Sequence, residues 1–245
     1  MKQFKNLNVP RIIGHRGVKD LAPENTLESI MEAFRIGLKW IEVDVKISKD
    51  NIPFLLHDDD FDRTTNGTGI ASSYNYSQIK ILDAGKFFYK KNTKIYPPTL
   101  KEVLSLCQKN KGGINLELKP NLGLEKKNVE EILKITKIFK EYVPLYFSSF
   151  DLDSCIAVTE VIPSSLCGIL IHDFNNYSFE EILKIIEKFK FFSCGLNINI
   201  INTELVKRLK NMNQFITVFS EKNITNEQAL DLWKIGVDSI FSDDP

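Results

Sequence analysis

The sequence WIEVDVK at residues 40–46 is the segment from which the fold can be inferred. Every second side chain in it is apolar, which is the periodicity of a β-strand with two different faces. The sequence INLELK at residues 114–119 has the same alternation. In both segments one face is aliphatic and suits packing against helices. The other face is polar and is predicted to point into a closed barrel; it carries Glu42, Asp44, Lys46, Asn115, Glu117 and Lys119.

Short apolar segments alternate with helix-period segments along the whole chain, which is typical of parallel strands joined by helices. The predicted strands are Arg11–His15, Trp40–Lys46, Ile114–Lys119, Leu145–Ser149, Leu166–Leu170, Cys194–Ile198, Phe215–Phe219 and Ser239–Ser242. The predicted helices are Thr26–Gly37, Leu100–Lys109, Leu124–Glu141, Leu152–Val161, Phe179–Lys190, Thr203–Asn211 and Glu227–Ile235. Eight strands in 245 residues favour an α/β fold of the (β/α)8 TIM barrel type over an open sheet.

The predicted barrel is distorted in two places. The segment of residues 48–51 is too short to connect two parallel strands. Ile52–Leu56 should therefore form an antiparallel hairpin with the preceding strand. Residues 58–98 are rich in turn residues and are predicted to be a small insertion at the barrel mouth, within one domain of residues 1–245. The sequence ends directly after the eighth strand, so no eighth outer helix is expected. The N-terminal segment or a partner subunit is expected to cover that strand.

Composition and charge exclude several classes of protein. Lys plus Arg and Asp plus Glu each number 32, so the chain lacks the overall positive field that attracts nucleic acid or anionic membranes. No apolar run reaches the length of about 18 residues needed for stable membrane insertion. Residues 1–17 lack the apolar core of a signal peptide, which predicts a cytoplasmic protein. The four cysteines form no CxxC pair and are expected to be free buried thiols.

Three inward-facing carboxylates, Glu42, Asp44 and Glu117, are predicted at one mouth of the barrel. Buried carboxylates are costly unless a positive charge compensates them. Their oxygen ligands favour one divalent cation, Mg²⁺ or Ca²⁺, over zinc. The alternative is that they form ordinary salt bridges with Lys46 or Lys119 on strands that face the opposite way.

Two of the three histidines, His15 and His57, directly follow strand ends, where catalytic groups of TIM barrels gather. Two imidazoles can supply one general base and one general acid at neutral pH. Arg16 and Lys119 add positive charges that suit phosphate oxygens. The combination predicts a site for an anionic phosphate ester.

Three other polar residues give weaker evidence about function. His172 has no such neighbours in the sequence, and a structural role is expected for it. Asn25 either reaches the substrate or caps the following helix. Glu24 either forms a salt bridge or holds Arg16.

The chain also resembles the glycerophosphodiester phosphodiesterases over nearly its whole length. The matching motifs occur in the order and at the spacing of that family: Gly14–Gly17, Ala22–Thr26, Glu42–Val45, His57–Asp58, Arg63–Gly69, Pro98–Leu100, Glu117–Lys119, Ser148–Phe150 and Gly236–Pro245. The resemblance implies a distorted (β/α)8 barrel with a small inserted subdomain. It also implies metal ligands, acid–base histidines and phosphate contacts at these residues: Glu42, Asp44 and Glu117; His15 and His57; Arg16 and Lys119.

The reaction implied by the resemblance converts a glycerophosphodiester to sn-glycerol 3-phosphate and an alcohol such as choline or ethanolamine. In the hypothesised mechanism one histidine deprotonates the glycerol 2-hydroxyl, which attacks phosphorus. The other histidine protonates the leaving alcohol, and water then opens the cyclic phosphate. Where the family usually has Trp-Thr on the seventh strand, this chain has Phe219–Ser220. Phe219 is expected to keep an aromatic wall for the substrate without an indole donor.

Two other functions remain open at this point. A lysophospholipase D-like enzyme would use the same site but would need an apolar groove and access to a membrane. A noncatalytic barrel that binds glycerol phosphates would not need two imidazoles beside a carboxylate cluster. The expected partner is a small molecule, and the chain is expected to be a monomer or a homodimer.

Overall fold

Eight parallel strands close a barrel in this computed structural model, which describes residues 7–162 and 166–245. Strand β1 (Ile12–Gly14) pairs with both β2 (Trp40–Ile47) and β9 (Ser239–Ser242), and this pairing closes the sheet. The barrel strands are β1 (Ile12–Gly14), β2 (Trp40–Ile47), β4 (Gly113–Leu118), β5 (Leu145–Ser149), β6 (Cys167–Ile171), β7 (Ser193–Asn197), β8 (Phe215–Phe219) and β9 (Ser239–Ser242). The predicted TIM barrel is confirmed.

A ninth strand, β3 (Pro53–Leu55), runs antiparallel to β2, with Val45 opposite Leu55. The predicted hairpin is therefore confirmed. After it, residues 58–98 contain only a 3₁₀ turn at Ala71–Ser73 and two short helices, α2 (Tyr76–Ile79) and α3 (Lys86–Tyr89). A separate apolar cluster joins this segment to the hairpin; its buried members are Phe54, Leu56, Phe61, Ala71 and Ile79.

Longer helices connect the barrel strands and pack against their outer face. They are α1 (Leu27–Arg35), α4 (Leu100–Asn110), α5 (Glu125–Phe139), α6 (Leu152–Val161), α7 (Phe179–Phe189), α8 (Thr203–Asn211) and α9 (Asn226–Ile235). Thr99, Ser178 and Thr225 each begin a helix with a capping box, in which the side chain accepts a hydrogen bond from the third helical N–H. These caps explain why the predicted helix starts lie close to the observed ones.

The outer face of β9 is covered although, in the part of the chain described, no helix follows it. Ile240 is only 2% exposed and belongs to the same apolar cluster as Ala229 and Leu232 of α9. Residues 1–6 lie outside the described ranges. Leu7 and Val9 pack instead against the cluster that fills the floor of the barrel.

The barrel interior is apolar at its floor and polar at its mouth. Ile13, Trp40, Tyr146 and Phe241 form the floor. Trp40 fits there because its neighbour in the register is Gly113, where a Cβ would lie 2.2 Å from the indole ring. Polar and charged side chains are found at the other end of the barrel, around Glu42, Asp44 and Glu117.

Candidate active site

The three predicted carboxylates meet inside the barrel mouth. The parallel register of β2 and β4 sets Asp44 directly beside Glu117, and Glu42 lies two residues earlier on the same face of β2. One oxygen from each carboxylate lies within 4.8 Å of the others, and all three residues are buried. The strands therefore face as predicted, because the alternating aliphatic residues Ile41, Val43 and Val45 join the helix-side core.

Crowding of negative charge changes the ionisation of this cluster. Burial, together with the charges of Asp44 and Glu117, raises the pKa of Glu42 well above its usual range. Burial also raises the pKa of Glu117 to about 7, although the charge of Lys119 opposes the rise. Burial acts on Asp44 as well, but Lys119 and Arg16 outweigh it and hold the pKa of Asp44 below its usual range.

Two cations lie on the edge of the cluster. Lys119 Nζ is 2.5 Å from Glu117 Oε1 and 3.6 Å from Asp44 Oδ1. Arg16 Nε is 3.4 Å from Asp44 Oδ2. Lys119 thus forms salt bridges of the kind that the alternative interpretation proposed. The strands, however, do not face the opposite way, as that interpretation assumed. Lys46 turns away from the carboxylates and donates to the Asp58 carbonyl oxygen.

His15 and Arg16 are presented by a tight turn after β1. His15 N donates to the Ser242 carbonyl and Gly17 N to the Glu42 carbonyl, which anchors the turn to the strands on both sides. Arg16 and Gly17 have φ values of +50° and +84°, a region that glycine adopts readily. At Gly14 a Cβ would lie 2.1 Å from the Gly17 carbonyl oxygen. The shape of this turn therefore requires glycine at positions 14 and 17.

His15 and His57 are each paired with an aspartate through Nδ1. His15 Nδ1 lies 2.6 Å from Asp243 Oδ1, and His57 Nδ1 lies 2.6 Å from Asp58 Oδ1. An aspartate that accepts from Nδ1 leaves the Nε2 lone pair free for a proton. Burial lowers the pKa of both imidazoles, which favours the neutral, basic form at neutral pH.

A chain of charged groups connects Arg16 to the loop that carries His57. Arg16 Nη1 donates to Glu24 at 2.8 Å, and Glu24 accepts two more hydrogen bonds from Arg63 at 2.7 and 2.9 Å. Arg63 Nε in turn donates to Asp58 at 2.6 Å. Glu24 therefore both forms salt bridges and holds Arg16, so the two roles considered for it are the same contact.

Asn25 has a role that neither sequence alternative described. Its side chain donates to Asp44 Oδ2 at 2.8 Å and accepts from Asp44 N at 3.0 Å, while Thr26 caps the helix. Asn25 thus orients Asp44. Its φ of +56° is a left-handed conformation that asparagine tolerates, but no local pattern indicated its distant partner.

A cavity of about 670 Å³ is lined by Glu42, Glu117, His15 and His57. Phe219 and Phe150 line one wall with ring centroids 5.2 Å apart, and Lys119 Nζ is 5.3 Å from the Phe150 centroid. His172, for which a structural role was expected, also lines this cavity. It stacks on Phe219 and accepts a hydrogen bond of 3.1 Å from Asn197. These neighbours come from other strands, so the sequence around His172 gave no sign of them.

The barrel and its mouth define the class of (β/α)8 enzymes that act at the carboxyl ends of the strands. Residues 15–245 match the glycerophosphoryl diester phosphodiesterase family. The chain belongs to this family, as its motifs indicated, and is a phosphoric diester hydrolase.

Relatives and solved structures agree with this assignment. A glycerophosphodiester phosphodiesterase of Bacillus altitudinis is 33% identical, with 96% of this chain and 95% of the relative covered. One from Caldanaerobacter subterraneus is 31% identical, with 96% and 94% covered. A phosphodiesterase structure from Oleispira antarctica, in complex with the product sn-glycerol-3-phosphate, has a TM-score of 0.87 and 30% identity and covers 97% of this chain and 94% of its own.

Proposed function

We propose that this chain hydrolyses glycerophosphodiesters, such as glycerophosphocholine and glycerophosphoethanolamine, to sn-glycerol 3-phosphate and an alcohol in a metal-dependent reaction. One observation carries the proposal: three buried carboxylates within 4.8 Å of one another and two aspartate-paired histidines belong to the same barrel mouth. The similar structure from Oleispira antarctica holds the product sn-glycerol-3-phosphate, which is the product expected here.

The donor set fits one divalent cation, Mg²⁺ or Ca²⁺, held by Glu42, Asp44 and Glu117. Glu42 Oε1 and Asp44 Oδ1 are buried and have no hydrogen-bond partner among the described residues. Hard carboxylate oxygens are the ligands these ions prefer. Such an ion would polarise the phosphoryl oxygens and lower the repulsion among the three carboxylates.

His15 and His57 act as the acid–base pair of the proposed reaction. The Nε2 atom of one histidine takes the proton of the glycerol 2-hydroxyl, whose oxygen attacks phosphorus. The other histidine donates a proton to the departing alcohol oxygen, so that a cyclic phosphate forms. Water opens this ring with the two roles reversed. Asp243 and Asp58 hold the imidazoles in the required tautomer and stabilise each imidazolium as it forms.

Other residues of the barrel mouth bind and orient the substrate. Arg16 and Lys119 face the non-bridging phosphoryl oxygens and stabilise the charge that develops there. Phe219 packs against the carbon backbone of the glycerol as an aromatic wall without an indole donor. The substrate partner is a small molecule. Among the described residues, no helix is long and apolar enough to cross a membrane.

Residues 58–98 are proposed to be an insertion within one domain of residues 1–245 that operates in the cytoplasm. The hydrogen bonds from Arg63 to Glu24 support the assignment to one domain, because Glu24 also accepts a hydrogen bond from Arg16. The chain is proposed to work as a monomer or homodimer, since all proposed catalytic groups come from one copy.

Release of glycerol 3-phosphate from glycerophosphocholine tests the function directly. Release should stop after treatment with a chelator and return when Mg²⁺ or Ca²⁺ is added. Glu117→Gln should abolish this recovery, whereas Glu130→Gln on the exposed face of α5 should not. Faster turnover of lysophosphatidylcholine than of glycerophosphocholine would favour the lysophospholipase D alternative. Binding of glycerol 3-phosphate without any turnover would favour the noncatalytic alternative.

A further inference from the structure

A loop of the insertion displays three consecutive aromatic side chains to solvent. Phe87, Phe88 and Tyr89 on α3 are 52%, 40% and 41% exposed, and none of the residues of this short helix is buried. The rings of Phe88 and Tyr89 contact each other edge to face, with centroids 5.0 Å apart. Adjacent exposed aromatic residues are unusual on a surface that meets only water, and they mark interaction sites.

The same loop is strongly basic. The sequence from residue 84 to residue 101 contains five lysines and no Asp or Glu, in a chain whose total charge is balanced. The lysines are Lys86, Lys90, Lys91, Lys94 and Lys101. Lys90, Lys91 and Lys94 are exposed, so their charges surround the aromatic side chains rather than pairing with acids in the loop. We call residues 86–94 the aromatic–lysine loop.

The base of the loop is firmly held. The Asp83 carboxylate accepts hydrogen bonds from Gly85 N at 3.0 Å and from Thr93 N at 2.5 Å. Ala84 N donates to the Ile95 carbonyl at 2.8 Å, which closes the loop. Gly85 is required at this base, because a Cβ there would lie 2.6 Å from Thr93 Oγ1. The fold therefore fixes the two ends of the loop and leaves its apolar tip exposed.

The loop projects close to the active site. Ala84, at its base, lines a small cavity together with His57 and Glu24. Asn66 N also donates to the Asp83 carbonyl, and Asp83 N to the Asn66 side chain, which ties the loop to the Arg63–Gly69 segment. The base of the loop thus lies near His57 and Glu24.

We propose that the aromatic–lysine loop docks on the surface of a bilayer that contains anionic phospholipid. Aromatic side chains favour the interfacial region of bilayers, and neighbouring lysines are attracted to anionic headgroups. Docking is peripheral, because a loop of this length can bury only a few side chains in the bilayer and cannot cross it. A second copy of this chain is a poorer occupant, because a twofold interface would set the same lysines against each other.

Vesicle co-sedimentation of the full chain, without substrate, tests the proposal. Vesicles of phosphatidylcholine with about 30% phosphatidylglycerol are compared with vesicles of phosphatidylcholine alone. The chain should sediment with the anionic vesicles, and salt of about 0.5 M should weaken binding because it screens the lysines. Tryptic maps of bound and free protein should show protection at Lys90 and Lys91.

Loop variants and control variants distinguish binding through the loop from a general effect of surface residues. The variant F87S/F88S/Y89S should lose about tenfold or more of its partition coefficient, since each buried aromatic side chain contributes strongly. K90Q/K91Q should lose about fivefold for each lysine removed. The exposed control Y142S and the control K109Q/K111Q should bind as the wild type does. All four variants should hydrolyse soluble glycerophosphocholine at the wild-type rate, which shows that they are folded.

Several results would overturn the proposal. These are the absence of sedimentation with anionic vesicles, equal binding to both vesicle types, or equal loss in the loop variants and their controls. A dimer that dissociates in F87S/F88S/Y89S while vesicle binding is absent would identify a second copy as the occupant instead. None of these results depends on turnover, so they leave the proposed enzymatic function untouched.

Discussion

Replacing Glu117 with glutamine in the metal-free chain should stabilise it at alkaline pH. The pKa of Glu117 is raised from an ordinary value of 4.5 to about 7. The folded chain therefore holds a proton that the unfolded chain has released, and metal-free stability falls as the pH rises from about 4.5 to about 7. At about 1.4 kcal/mol for each pH unit, ionising Glu117 costs the folded chain on the order of 3 kcal/mol. Glutamine mimics the protonated acid and avoids this cost.

Urea unfolding with excess chelator measures the effect. The unfolding free energy of Glu117→Gln minus that of the wild type should increase by about 2 to 3 kcal/mol between about pH 5 and about pH 8.5. The lowered pKa values of His15 and His57 act in the opposite direction and affect both proteins alike. The pKa of Glu42, which the charge of Glu117 helps to raise, should fall in the variant and add to the same difference. Glu130→Gln, at an exposed position, should show no such pH-dependent difference.

A divalent cation should offset most of this difference in stability. Mg²⁺ or Ca²⁺ at about a hundred times its dissociation constant should stabilise the wild type by about 2.7 kcal/mol and Glu117→Gln by much less. A difference between the two proteins that stays constant with pH would refute the argument from buried, crowded carboxylates. So would equal stabilisation of both by the cation.

Four further substitutions test other parts of the site. His15→Ala or His57→Ala should each lower kcat by about 10² or more with little change in unfolding, and a nearly wild-type kcat in either would contradict the acid–base pair. Asn25→Ala should weaken Mg²⁺ affinity by about 10- to 100-fold in calorimetry, because it releases Asp44; an unchanged affinity would show that Asp44 needs no such support. Phe219→Ala should raise KM for glycerophosphocholine more than it lowers kcat, and the reverse would place this side chain in the chemical step.

Local alternation and turn chemistry were sufficient to predict the barrel. The polar face of residues 40–46 and that of residues 114–119 are set by the twofold periodicity of a strand. Neighbouring strands in a parallel sheet align in register, so the same face in both strands brings Asp44 beside Glu117. The hairpin at Val45 and Leu55 was predictable for a similar reason, since a short turn permits no other connection.

Only the tertiary structure decided which residues contact the predicted site residues. Asp243 reaches His15 across 228 positions of sequence, and Asn25 reaches Asp44 from a separate loop. His172 entered the cavity wall because Phe219 and Asn197 approach it from other strands. Sequence periodicity reports which way a side chain points along its own strand. The distance to a distant side chain depends on how the closed barrel brings strand ends together, and no local pattern carries that information.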